Sequence, residues 1–194
     1  MKSLSVLGFV FAALALGAAE FRYSFEAEKD PLEVFKRDKT PMLTVESYDE
    51  NWILKTRNVN AGLMLWQTMR TGELTFEGGL FRGGLRVYAL YEPRDGKGIG
   101  VFIPSAGKKE LKLVSTLSGK METLAQGTLD SLPEKLAITL KITDQQLEVY
   151  SGERKICEAA LPPGAKRGSF YIQGTWGTEL KLKTFTVESP DLRK

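Results

Sequence analysis

The 194-residue chain carries a formal charge of +3, with 42% hydrophobic and 26% charged residues, one Cys and no His. These are the proportions of an ordinary globular protein. Basic residues scattered at so low a net charge do not make the footprint of a nucleic-acid binder. The lack of His removes His-ligated zinc, Ser-His-Asp triads and His-based phosphotransfer, and a single Cys forms neither an internal disulfide nor a thiolate cluster. Carboxylates, Lys, Arg, Tyr and an oxygen-ligated calcium are left for chemistry.

Residues 1–19 read as a secretory signal: Lys2, an apolar run from Val6 to Leu16 broken only by Gly8, then Gly17-Ala18-Ala19 with cleavage after Ala19. The run is short of the ~20 residues that span a bilayer. A secreted or periplasmic protein is expected, with one domain over residues 20–189 and a C-terminal tail at 190–194. The folded part opens with Phe21, Tyr23 and Phe25 on one face of a strand, ended by Lys29-Asp30-Pro31. Leu32 to Lys39 fits neither helical nor strand period. Short strands follow at Pro41 to Glu46 and from Trp52. Leu63 to Met69 carries bulk on both faces, as expected of a strand that is covered on both sides or borders a ligand groove. Gly78-Gly79 and Gly83-Gly84 mark bulges, tight turns or close backbone approach. Leu85 to Glu92 is a clear strand, with Pro93-Arg94-Asp95-Gly96 a turn after it.

Ile99, Val101 and Ile103 alternate next, and further strands are predicted at Leu111 to Leu117 and Met121 to Gln126. From Leu136 to Glu188 four or five strands succeed one another with apolar residues at every second position. The inward parity shifts between Leu180-Leu182 and Phe185-Val187, which predicts a bulge or bend near Lys183 and Thr184. Cys157 lies on the inward stripe with Ala159 and reads as a buried structural thiol. Some twelve strands, turn signals between them and no long helical face predict an all-β protein, a sandwich or barrel.

The aromatic first strand, the approach Gly83-Gly84-Leu85-Arg86-Val87, then Gly98-Ile99-Gly100-Val101, and the block from Leu136-Ala137-Ile138 through Leu147-Glu148-Val149-Tyr150-Ser151-Gly152 to Gly168-Ser169-Phe170 and Phe185-Thr186-Val187 together resemble the concanavalin A-like lectin/glucanase superfamily. Within it they are similar to the laminin-G-like bacterial domains grouped with 3-keto-disaccharide hydrolases. The resemblance implies a two-sheet antiparallel jelly-roll β-sandwich with any ligand on the concave sheet or its rim loops. It does not choose between sugar-binding modules and glycosidases.

The superfamily's glucanases carry Glu-x-Asp-x-x-Glu on one strand, and this chain has no such string. Glu73 and Glu77 share a face, but four residues at ~3.3 Å rise set their backbones about 13 Å apart, too far for paired carboxylate chemistry. Sugar binding needs aromatic faces and planar polar groups. Trp66 shares a face with Arg70, and Arg86 with Tyr88. If those faces line the concave sheet, Trp66, Arg70, Arg82, Arg86 and Tyr88 make a basic, aromatic-lined groove. Trp176, at a predicted hairpin tip, is a rim aromatic. Core packing is the competing reading for Trp52 and Trp66. No cofactor is expected; calcium would call on Asp49-Glu50-Asn51 and Asp95. The expected function is carbohydrate binding without catalysis, the alternatives being a glycoside hydrolase of the 3-keto-disaccharide hydrolase type and a structural or protein-interaction domain.

Overall fold

The computed structural model describes residues 18–25, 30–38, 42–48, 51–57 and 59–193. The segment read as a signal peptide falls outside them except for Ala18 and Ala19. The strands are β1 (Ala19–Ser24), β2 (Lys36–Arg37), β3 (Leu43–Tyr48), β4 (Asn51–Thr56) and β5 (Ala61–Met69). They continue with β6 (Gly72–Arg82), β7 (Leu85–Tyr91), β8 (Ile99–Ile103), β9 (Glu110–Ser115) and β10 (Glu122–Thr128). The last are β11 (Leu136–Ile142), β12 (Gln146–Ser151), β13 (Arg154–Ala160), β14 (Gly168–Gly174) and β15 (Glu179–Ser189). One 3-10 turn, Pro31–Glu33, is the only helical element among the described residues; Asp30 caps it by accepting from the Leu32 N–H at 2.8 Å, and Pro31 needs no donor at that position.

The strands form two antiparallel sheets, as expected of a jelly-roll sandwich. The eight-stranded sheet runs β13-β12-β11-β6-β15-β4-β3, and β1 pairs with β15 beyond β4; the seven-stranded sheet runs β10-β9-β8-β7-β14-β5-β2. Alternate residues of both sheets meet in one core, Leu54, Phe76, Leu80, Leu180, Leu182 and Phe185 from the first against Leu63, Val87, Val101 and Phe170 from the second. Burial of these side chains is the main stabilising term, worth roughly 1.5–3 kcal/mol for each large apolar residue.

A run of aromatic contacts fixes the N-terminal segment. Phe35 packs edge-on to Tyr23 (5.2 Å) and Phe185 (5.8 Å) and stacks on Phe25 (5.3 Å). The segment with no clear period is thus anchored by one ring, and the residues just after it, Lys36 to Asp38, lie along β5.

Register shifts in β15, β7 and β5 set which side chains face where. In β15 the shift falls between Leu182 and Thr184, so Lys183 is the extra residue, at the place the parity change predicts. In β7 one extra residue lies between Tyr88 and Tyr91, and in β5 two, Trp66 and Gln67, lie between the pairings of Leu65 and Thr68. Residues 190–193 are docked rather than a free tail. Thr68 and Arg193 exchange both backbone hydrogen bonds at 2.9 Å, and Asp191 pairs with Arg167 at 3.0 Å. Cys157 is buried, and burial pushes its thiol up to about 11, as expected of a structural thiol.

Deleting Lys183 removes the shift and forces Phe185 and Val187 either to face solvent or to slip one pairing. A loss of at least about 3 kcal/mol, or ~10 °C in Tm, is expected by urea and thermal unfolding. A Lys183 deletion with unchanged Tm would show that the bulge does not set the parity of β15.

Candidate functional site

The outward faces of the two sheets differ. On the eight-stranded sheet they carry exposed and half-exposed polar side chains joined in ladders, with Lys141 to Glu73 at 2.6 Å and Lys155 between Glu148 and Glu158. On the seven-stranded sheet several outward side chains are buried although they point away from the core: Tyr88 (4% exposed), Val114 (0%), Tyr171 (1%) and Gln173 (9%). These outward side chains are covered by their neighbours, which sets this face, called the recessed face below, apart from that of the other sheet.

Strand register arranges this face in two rows. One runs Gly62, Gln173, Arg86, Phe102, Lys112 and Gln126 across six strands; the next runs Met64, Tyr171, Tyr88, Gly100, Val114 and Thr123, with Lys36 opposite Met64. A directed chain of hydrogen bonds crosses both. The Tyr171 hydroxyl donates to Asp38 Oδ2 at 2.6 Å and accepts from Gln173 Nε2 at 3.3 Å; Gln173 Oε1 accepts from Arg86 at 3.0 Å. Every donor sense is fixed by the two ends, a carboxylate and a guanidinium, so the Gln173 amide has one orientation. Arg86 also lies over the Phe102 ring, 5.0 Å from its centroid, in cation–π contact. Its Nε is buried without an acceptor, at a cost of about 1–3 kcal/mol for a donor left unmade.

Tyr171 stacks with Tyr88 (6.3 Å) and meets Tyr91 at 4.7 Å, and Tyr88 meets Tyr91 at 5.4 Å. The extra residue in β7 is what brings Tyr91 to the same side as Tyr88. Gly98 makes room for them: a Cβ there would stand 3.1 Å from carbons of both the Tyr88 and Tyr91 rings. Burial raises the pKa of all three phenols. For Tyr171 the Asp38 hydrogen bond raises it further, for Tyr91 the Asp38 charge does so, and for Tyr88 the Arg86 charge acts in opposition.

Of the residues singled out from sequence, three share this sheet. Arg86 and Tyr88 stand side by side on the recessed face. Trp66 projects from the β5 bulge, 48% exposed with the Lys36 ammonium 5.4 Å from its ring, so it is not a core residue; Trp52 is the one that packs against the core. Two arginines do not join them. Arg82 ends β6 on the other sheet, opposite Glu179, and the Arg70 guanidinium pairs with Asp144 in the β11–β12 turn at 3.1 Å. Trp176 is 69% exposed, but its turn is a crossover between sheets and not a hairpin tip, because β14 and β15 lie in different sheets. That crossover is pinned: the Thr178 hydroxyl donates to the Gly84 carbonyl at 2.7 Å, the Thr175 hydroxyl accepts from the Gly84 N–H at 2.9 Å, and the Thr56 hydroxyl donates to the Thr175 carbonyl. It places Trp176 two residues beyond Gly174, which pairs with Leu85 at the start of β7.

Asp38, Tyr91, Phe102, Tyr171 and Gln173 complete the face and were not singled out. For Tyr171 and Gln173 a signal existed: they alternate with Phe170 and Ile172 in a strand whose seven residues are all buried. Of the calcium candidates, Asp49 and Glu50 lie outside the described residues, and Asp95 is exposed in a turn. Among the described residues no group of three or more His, Cys, Asp or Glu converges on a metal position, and no helix is long and apolar enough to cross a membrane.

The raised phenols have a consequence with a definite sign. Below the unfolded tyrosine pKa of about 10 both states are protonated and the native state keeps its full stability. Above it the unfolded chain ionises first, so stability falls as pH rises through 10. An ultraviolet titration is expected to show Tyr88, Tyr91 and Tyr171 ionising late, and Tyr171→Phe to lose about 1–3 kcal/mol at pH 7 by leaving Asp38 without its donor. Ordinary titration of all six tyrosines near pH 10 would contradict this.

No family model matches the chain, and no curated protein matches it. Solved structures do. A carbohydrate-binding module, CBM66 from Bacillus subtilis, superposes with a TM-score of 0.62 at 13% identity, over 76% of this chain and 92% of that one. A Bacillus licheniformis β-glucanase gives 0.67 at 10% identity, over 88% and 97%. A Bacillus subtilis protein of unknown function with a galectin-like fold gives 0.69 at 11% identity, over 89% and 98%. With two antiparallel sheets in this order and these structural neighbours, the chain has the concanavalin A-like jelly-roll fold.

Proposed function

We propose that this is an exported carbohydrate-binding domain that holds glycan on the recessed face of the seven-stranded sheet and does not cleave it. The observation that carries the reading is the Arg86 relay: a guanidinium held by Gln173, laid over Phe102 and left with a buried unpartnered Nε, on a face floored by Tyr88 and Tyr171. Planar donors beside aromatic rings suit the hydroxyls and C–H faces of sugars. Structural neighbours with the same sandwich include a carbohydrate-binding module and glucanases, which supports a glycan ligand without choosing between binding and hydrolysis.

The carboxylates speak against hydrolysis. Neither row of the face holds one among the described residues. Asp38 is engaged by Tyr171 of β14, and Glu110 of β9 pairs with Lys112 at 3.0 Å. Three strand spacings of ~4.8 Å separate β9 from β14, about 14 Å, beyond the ~9.5 Å limit for an acid–base pair. Glu73 and Glu77 lie on the other sheet, paired with Lys141 and with Lys183.

A panel of soluble oligosaccharides read by thermal shift and Trp fluorescence tests the reading. At least one glycan is expected to raise Tm, with Arg86→Ala or Trp66→Ala weakening binding about tenfold or more and no product formed on long incubation. Silence across the panel, or cleavage of any member, overturns it. For export, mass spectrometry of protein from the periplasm or culture medium is expected to find Glu20 as the first residue.

A further inference from the structure

The ladders on the eight-stranded sheet are interrupted between β6 and β11. Around Gly79 and Ala137 the outward positions of β6 and β11 carry almost no side chain, and a recess of about 620 Å³ opens there. Its floor is fixed by a close approach: a Cβ on Gly79 would stand 2.5 Å from the Glu134 carbonyl oxygen, where the chain entering β11 packs along β6 and Pro133 accepts from the Leu80 N–H at 2.7 Å. At one end stands Phe81, two residues on from Gly79 along the same face. An edge carbon of its ring lies 3.4 Å from the position of that Cβ, so the ring leans over the glycine, and it remains 51% exposed. At the other end are Glu77 and Lys183, paired at 3.6 Å, with Glu77 also accepting from the Thr184 hydroxyl at 2.8 Å. Lys181 stands directly across from Gly79, and Glu134 and Lys135 line the remaining side. The extra residue in β15, Lys183, is part of this wall.

We infer that this recess is a second saccharide-binding site, on the sheet opposite the recessed face and independent of it. The half-exposed Phe81 ring presents a flat apolar surface to the C–H face of a sugar, and the exposed Ala137 beside the covered Gly79 leaves the floor low enough to admit it. The recess falls within the range of about 300–1,000 Å³ common to small-molecule sites. Its rim carries both signs, Lys135 and Lys181 against Glu134, with the Glu77–Lys183 pair closed on itself. Donors and acceptors so mixed match hydroxyls, which both give and accept hydrogen bonds, better than a formally charged group. The ligand class is therefore a neutral sugar unit. With sites on opposite sheets, one molecule engages two chains of a polysaccharide, or two places on one chain, with the gain in avidity that two linked sites confer.

Ala137 reports on the floor. With alanine methyls labelled with carbon-13, titration with neutral gluco-, xylo-, manno- and galacto-oligosaccharides is expected to move the Ala137 methyl saturably for at least one of them. Phe81→Ala is expected to weaken that response about tenfold or more, Phe81→Trp to keep it, and Arg86→Ala to leave it unchanged. Raising the salt to about 0.5 M is expected to change the affinity by less than about twofold, since no formal charge on the ligand is engaged. An Ala137 methyl that no member of the panel moves, or that responds equally in Phe81→Ala with the other methyl signals in place, overturns the second site. The reading of the recessed face fails or stands separately, on the Arg86→Ala and Trp66→Ala binding loss.

Discussion

A tyrosine hydroxyl 2.6 Å from a carboxylate, at the centre of a strand buried on both faces, is the contact on which the recessed face depends. β14 gives Phe170 and Ile172 to the core and Tyr171 and Gln173 to the face, so one strand ties the interior to the floor of the site. From Tyr171 the hydrogen bonds run in one direction to Arg86. From Asp38 the backbone leads to Phe35 and the aromatic cluster under β15. The guanidinium is thus held at one end by a charge-assisted chain and at the other by Phe102. In a site with little water each bond of such a chain strengthens its neighbours.

The register shifts are the second device. A strand of strict alternation presents its residues by parity, and an extra residue changes the side on which the following ones emerge. In β15 this keeps Phe185 and Val187 inward after a pair of inward leucines. In β7 it adds Tyr91 to the ring cluster of Tyr88 and Tyr171. In β5 it lifts Trp66 out of the sheet surface.

Alternation made an all-β sandwich or barrel legible in the sequence, the two-sheet jelly roll being what the resemblance added, and of the bulges it revealed one. The β15 shift could be read because apolar residues lie on both sides of it. The β7 shift could not, since Ala89 and Leu90 are both apolar and both buried, and nothing marks which is extra. Arg86 and Tyr88 were legible as neighbours by simple parity. Arg70 and Arg82 were assigned to the same groove by parity and by nearness in sequence. Neither property says which sheet a strand joins, nor that a long side chain at a strand end will turn toward a carboxylate such as Asp144. The crossover at Trp176 shows the same gap: a turn signal marks a change of direction, but hairpin and crossover look alike in sequence. Asp38 was out of reach because its place is set by a single ring, Phe35, in a segment with no repeat.

The composition acquires a further meaning from the relay. Histidine is the side chain whose charge ordinarily changes between pH 5 and 8, and this chain has none. Its one thiol is pushed to about 11 and the phenols of the face are held protonated by burial. The direction of each hydrogen bond from Arg86 to Asp38 is therefore indifferent to acidity across the neutral range. A surface built this way offers the same donors and acceptors whether its surroundings are mildly acidic or mildly alkaline.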